Sequence, residues 1–403
     1  MERCDVLIVG GGPGGSSCAK RLAGAGLDVL ILDKAVFPRD KVCAGWITPA
    51  VLDELELDPA GYRQGRVLQP ITAFRVGRWG GRMIDLDYSS PASYGIRRCE
   101  FDDYLLHRCG ARLQLGESVR SIARDGNGWV INDRYRASML VGAGGHFCPV
   151  AQSLRNERGE RGRESFSMSA TDDDGHPKTL LPTWKKTPDP LVAAQEIEFL
   201  LDDRQQAECR VEGHRPELYF CRDLMGYGWC FRKGSYLNVG LGREDRERLP
   251  EHVAAFCDYL QGQGRIPRSL SGKFRGHAYL LYEHSPRDPV DEGVLLVGDA
   301  AGLAYTESGE GIRPAIESGL LAAEVILAAA GDYSRQRLEP YRVRLEERFG
   351  KRRAPCSCAA RAPSRLRQFL AGRLLASRWF VRRVVVERWF LHAGHPPLKS
   401  PIV

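Results

Sequence analysis

The chain has 403 residues, 43% of them hydrophobic and 27% charged, with a formal net charge of +7. Roughly one large or two to three modest globular domains fit that size and composition. No apolar stretch approaches the ~18–20 residues of a membrane span, no CxxC pair suggests zinc, and the first apolar run stops in glycines without the basic n-region of a signal peptide.

Cytoplasmic residence is therefore expected. The cysteines, scattered from Cys4 to Cys358, read as small buried hydrophobes. Cys356-Ser-Cys358, the closest pair, reads as inert. The charge is unevenly placed. Residues 361–400 hold nine Lys/Arg and one acid, Glu387, so the remainder of the chain is close to neutral.

Val6–Val9 reads as a buried strand. Gly10-x-Gly12-x-x-Gly15 then opens a helix over 16–24, with Gly14 in the same turn. A second strand, 28–32, ends at Asp33. Gly10 permits the tight turn, Gly12 lets a pyrophosphate approach the backbone, and Gly15 lets helix and strand pack closely. The helix N-terminus offers unpaired N–H groups and a positive dipole end to phosphates. Asp33 is placed to accept hydrogen bonds from a ribose. The context predicts a dinucleotide site.

Alternating apolar positions over 71–88 fit a hairpin turning at Gly80-Gly81. His146, after Gly142-Ala143-Gly144-Gly145, reads either as a proton donor or as a loop histidine without a role. The polar insertion 155–190 contains Asp172-Asp173-Asp174, read as a solvated loop rather than a Mg²⁺ site. Glu196 and Glu198 share one strand face, read either as flanking a substrate entrance or, preferably, as an exposed sheet face. Tyr227, Trp229 and Phe231 share a face of a strand that returns through Lys233-Gly234 into 237–242. Three such aromatics either wall an apolar cavity or pack a half-buried sheet on a helix. A second apolar strand ends in Gly298-Asp299, and Gly309-Glu310-Gly311-Ile312 leads into a helix over 315–330. Helices follow over 334–353 and 364–392. No metal cluster or hydrolytic triad stands out.

The early glycine turn paired with the late "GDAAG…GEGI" resembles flavoproteins of the para-hydroxybenzoate-hydroxylase fold. Three further stretches, Phe37–Pro49, Gly95–Leu106 and Gly226–Gly242, are similar to the geranylgeranyl reductase family over roughly residues 4–330. In the third stretch the family pattern is Tyr-x-Trp-x-Phe-Pro followed by Gly-x-Gly. Tyr227, Trp229, Phe231, Gly240 and Gly242 match it, and Arg232 replaces the proline. The resemblance implies FAD as cofactor, with Asp299 at the ribityl chain and Gly311 and Ile312 at the helix start facing the flavin. It also implies that Arg98 contacts FAD and that Val119 holds the adenine through its backbone. Cys43 and Ala44 would lie beside the isoalloxazine. There Cys43 is either a proton donor or shield, or only packs.

The expected fold is α/β: an FAD-binding Rossmann-like domain (1–70, 95–160, 275–330), an interleaved antiparallel-sheet substrate domain (71–94, 161–274) and C-terminal helices (331–403). The expected activity is reduction of a carbon–carbon double bond in an isoprenoid or similar apolar substrate by hydride from reduced flavin, with Cys43, Tyr227 and Trp229 at the reacting centre. The alternative is a flavin monooxygenase or dehydrogenase acting on an aromatic or secondary metabolite. The expected electron donor is a ferredoxin-like protein or NAD(P)H. The arginine-rich, aromatic segment 364–392 either caps the substrate domain or touches an anionic inner membrane face peripherally. Nucleic-acid binding is not expected, because no recognition module accompanies the basic patch.

Overall fold

The computed structural model describes residues 1–126, 128–160, 191–245, 248–352 and 365–397. The strand Glu2–Val9 is flanked by parallel neighbours on both sides, Val29–Asp33 and Tyr135–Gly142. Covered on both faces as well, Val6, Leu7 and Ile8 are fully buried. This is why the run is continuously apolar rather than alternating. The sheet order is Val290–Asp291, Val294–Leu296, Tyr135–Gly142, Glu2–Val9, Val29–Asp33, Arg112–Leu115, with Ile122–Asp125 and Gly128–Ile131 added through Tyr135–Gly142. The glycine turn thus leaves the carboxyl end of a strand whose two neighbours are reached in opposite directions, where such sheets open a ligand crevice.

The helix Pro13–Gly24 crosses the helix Ile312–Ala329 at glycine contacts. A Cβ on Gly14 would lie 2.9 Å from Ala315 O, and one on Gly319 would lie 2.2 Å from Gly14 O. Gly14 is therefore needed for helix packing as well as for the turn.

A second sheet has seven strands in the order Arg275–Leu280, Leu191–Leu200, Tyr236–Arg243, Gly226–Lys233, Glu217–Phe220, Ala73–Arg78, Met83–Asp87. All pairs are antiparallel except Glu217–Phe220 with Ala73–Arg78. The hairpin around Gly80 (φ +73°) forms as expected from sequence. Arg275–Leu280 joins this sheet by pairing with Leu191–Leu200, although the sequence reading places it with the nucleotide domain. A small sheet, Trp46–Ile47, Ser93–Ile96 and Leu68–Ile71, accompanies the two large ones.

The tail differs from expectation. One helix over 364–392 is replaced by Arg365–Leu375, a short turn Arg378–Phe380 and a wide-turned π-helical segment Val381–Phe390. Ser377 causes the break: its side chain accepts the Phe380 N–H at 3.5 Å and starts a new helical segment. Val381, Val385, Val386, Phe390 and Leu391 are buried against Trp46, Phe74 and Trp229. Each such side chain contributes about 1.5–3 kcal/mol, so the second half of the tail is a cap on the seven-stranded sheet. The first half is different, with Leu366, Phe369, Leu370 and Leu374 exposed, followed by exposed Trp379. No described helix is long and apolar enough to cross a membrane. Asp172–Asp174 and Cys356–Cys358 lie outside the described residues.

Candidate functional site

A cavity of about 750 Å³ runs from the glycine turn to the aromatic face of the second sheet, within the range of about 300–1,000 Å³ usual for ligand pockets. At one end are two helix N-termini, at Gly12 and Gly311, neither with a side-chain cap nor an acid in its first turn. Each leaves backbone N–H groups for an anion. A Cβ on Gly10 would meet Ala143 C at 2.5 Å and one on Gly15 would meet Gly10 O at 2.0 Å, so both glycines fix the turn. A Cβ on Gly12 would meet only Arg39 Nη2, at 3.5 Å. It would instead fill the cradle itself.

Arg39 supplies the matching charge. Its Nη2 lies 3.2 Å from Asp102 Oδ2, and its buried Nη1 has no hydrogen-bond partner. Asp33 is held in the turn, accepting the Gly11 N–H at 2.8 Å and the Ala35 N–H at 2.9 Å. An unpaired guanidinium nitrogen, two open helix starts and a glycine with free space above it suit a pyrophosphate. The residues present therefore fit a dinucleotide.

Further along, Arg98 is buried and bound through two 2.7 Å hydrogen bonds to Asp102, and it also faces the Cys43 sulfur. Asp299 lies 3.4 Å from His277 Nε2, and Lys41 Nζ lies 3.0 Å from the same nitrogen. Burial pushes the Asp299 carboxyl up, but His277, Lys41 and Arg98 outweigh it and hold it at about 2. Burial lowers both Lys41 and His277. Asp299 is thus a fixed anion able to accept hydroxyl hydrogen bonds. Val119 also lines the cavity, from the loop between the strands Arg112–Leu115 and Ile122–Asp125.

At the other end stand Trp46, Tyr227, Trp229, Tyr279 and Phe390. Trp46 stacks on Phe390 at 5.4 Å, and Tyr227 meets Phe390 edge-on at 5.3 Å. Tyr227 OH donates to Ser308 O at 2.5 Å, and Trp229 Nε1 donates to Asn238 Oδ1 at 2.7 Å. Their polar atoms are engaged, so these two residues present ring surface to the cavity. Phe390 comes from the tail, so the cap also closes the cavity.

Gly10, Gly12, Gly14, Asp33, Cys43, Ala44 and Arg98 all line this one space, as do Val119, Tyr227, Trp229, Asp299, Gly311 and Ile312. Gly15 sits behind the turn. His146 also lines the cavity, its carbonyl accepting from Arg287. One reading is corrected: Glu196 is not on an exposed face. It is 4% exposed, because the loop around Cys43 lies over that face. Sequence reasoning also missed Arg39, Lys41, His277 and Lys233. Arg39 and Lys41 fall inside the quoted stretch Phe37–Pro49, and His277 alternates with Tyr279 on one strand face, so a signal was present for these three but not for Lys233.

Residues 3–179 match the family model described as an FAD binding domain. A menaquinone reductase of Mycobacterium tuberculosis is 28% identical over 341 residues, which covers 81% of this chain and 77% of the relative. A geranylgeranyl diphosphate reductase of Rhodobacter capsulatus is 27% identical over 344 residues, covering 80% and 75%. The crystal structure of a geranylgeranyl bacteriochlorophyll reductase-like protein from Thermoplasma acidophilum shares the fold, with a TM-score of 0.67 at 22% identity over 100% of this chain and 94% of that one.

Proposed function

We propose that this chain, an FAD-dependent oxidoreductase resembling the geranylgeranyl reductases, reduces a carbon–carbon double bond of an isoprenoid or similarly apolar substrate. The observation that carries this reading is the continuity of the dinucleotide cradle with the aromatic end formed by Trp46, Tyr227, Trp229 and Phe390. Relatives named for menaquinone and for geranylgeranyl diphosphate support a polyprenyl substrate.

FAD, when bound and reduced, supplies hydride to one alkene carbon. The glycine turn and Arg39 would hold its phosphates, Asp299 would accept from its ribityl hydroxyls, and the start of the helix Ile312–Ala329 would face the flavin. Trp229, Tyr227 and Phe390 align the chain and exclude water, which matters because an isolated alkene accepts hydride poorly. Cys43 carries at Sγ the proton for the second carbon, beside Arg98 and with the Gly45 N–H donated to the sulfur at 3.4 Å. The exposed apolar residues of Arg365–Leu375, with Arg367, Arg373 and Arg378, rest on an anionic bilayer from which the substrate enters.

Dithionite-reduced holoprotein incubated with geranylgeranyl diphosphate and with menaquinone tests this by product mass, read after air has reoxidised the quinol ring so that only side-chain hydrogens count. One of the two should gain one dihydrogen per reduced bond. Unchanged mass for both, from protein carrying a full complement of flavin, overturns the reading.

A further inference from the structure

We propose that Glu196 is a positioning residue that, with Asn238, clamps the Cys43 peptide and Trp229 in fixed register at the floor of the cavity. Glu196 Oε1 accepts the Cys43 N–H at 2.6 Å. Asn238 Nδ2 donates to the Cys43 carbonyl at 3.3 Å, and lies 3.4 Å from Glu196 Oε2. Asn238 Oδ1 accepts the Trp229 indole N–H at 2.7 Å. Two residues of one sheet thus hold both ends of the Cys43 residue's backbone, and one of them also holds the aromatic wall.

The surroundings are built for this clamp. A Cβ on Gly240 would lie 2.3 Å from the Trp229 ring and 2.8 Å from Glu196 Cβ, so glycine there admits both side chains. Lys233, 1% exposed, extends the hold by one residue: its Nζ donates to Ala44 O at 3.0 Å and to Ile96 O at 2.9 Å, and pairs with Glu198. Arg97 Nε lies 3.5 Å from Glu198 Oε2, closing the charge pattern.

A glutamine of the same shape would accept the Cys43 N–H without the cost of a buried charge. The carboxylate gives a charge-assisted, stronger grip, and one that titrates. Burial pushes Glu196 up to about 7, against the pull of the Cys43 N–H and Lys233. The charged or titratable groups facing it are Lys233, Glu198 on its own strand, and the Cys43 thiol. The grip on Cys43 is therefore strong above that pH and weaker below it.

The functional weight of this clamp rests on the proposal that Cys43 serves the reduction, but its test needs no alkene. Full-length holoprotein is alkylated with iodoacetamide, and the Cys43 peptide is followed by mass spectrometry with the Cys99 peptide as internal reference. The flavin absorbance maximum is recorded alongside. Glu196→Ala should speed Cys43 alkylation about tenfold or more, the effect of one lost charge-assisted hydrogen bond, and should shift the flavin band. Glu196→Gln should keep slow alkylation and a native band. The ratio of wild-type to Glu196→Gln rates should change between about pH 6 and pH 8. A folded, flavin-loaded Glu196→Ala protein alkylated within about twofold of wild type overturns the clamp. If that variant does not fold, a flat wild-type to Glu196→Gln ratio across the same pH range overturns it instead. Failure of alkene reduction would leave these rates unchanged, so the two proposals fail separately.

Discussion

A methyl group on Gly15 would sit 2.0 Å from Gly10 O, whereas one on Gly12 meets only the end of the Arg39 side chain. Gly15→Ala should therefore destabilise the FAD-free protein by about 1–3 kcal/mol through overpacking. Gly12→Ala should leave the urea midpoint of that protein within about 0.5 kcal/mol of wild type and weaken FAD binding about tenfold or more. Equal loss of stability in both variants would contradict these separate roles. Glu196 makes a second residue-scale prediction. Its folded value of about 7 lies above that of an ordinary glutamate, so the folded state binds more protons in that window and stability falls as pH rises through it. The carboxylate then costs about 3 kcal/mol above pH 7 and nothing below pH 4.5. Glu196→Gln should raise Tm at pH 8 and not at pH 4.5; an equal change at both would contradict the titration. At this scale the glycines and Asp33 were legible, because their geometry is set by their own turn. Glu196 was not: alternation shows which residues share a strand face, not which loop will cover it.

The tail illustrates the same limit for an element. Its composition shows an arginine-rich amphipathic segment but not that Ser377 divides it into two halves with different neighbours. Phe390→Ala removes a ring from the buried cap and should cost about 3–5 kcal/mol, read from urea unfolding. Phe369→Ser alters a residue 58% exposed and should leave unfolding unchanged. It should reduce co-sedimentation with phosphatidylglycerol vesicles, and the remaining binding should fall with salt. Salt-insensitive binding, or none by the wild type, would contradict the bilayer contact. The aromatic strand Gly226–Lys233 was partly legible: Tyr227 and Trp229 line the cavity, whereas Phe231 packs against Trp46. Lys233, expected at the turn, is instead the strand's last residue and fully buried.

Across the whole molecule the cavity is assembled from distant chain segments: the first glycine turn, the Cys43 loop, the second sheet, the start of the late helix and Phe390 of the tail. The nucleotide half was readable because strand, turn and helix are contiguous in sequence. The half built on the second sheet depends on strand pairing across long separations, so only its aromatic stripe was visible. The measurement that tests the assembled site most directly is anaerobic: the holoprotein is photoreduced and titrated with geranylgeranyl diphosphate and with menaquinol, whose ring can take no further electrons, while the visible spectrum is recorded. Alkene reduction predicts return of the oxidised flavin bands with one equivalent of a polyprenyl substrate and without oxygen. Flavin that stays reduced with both substrates and reoxidises only when air is admitted would contradict it.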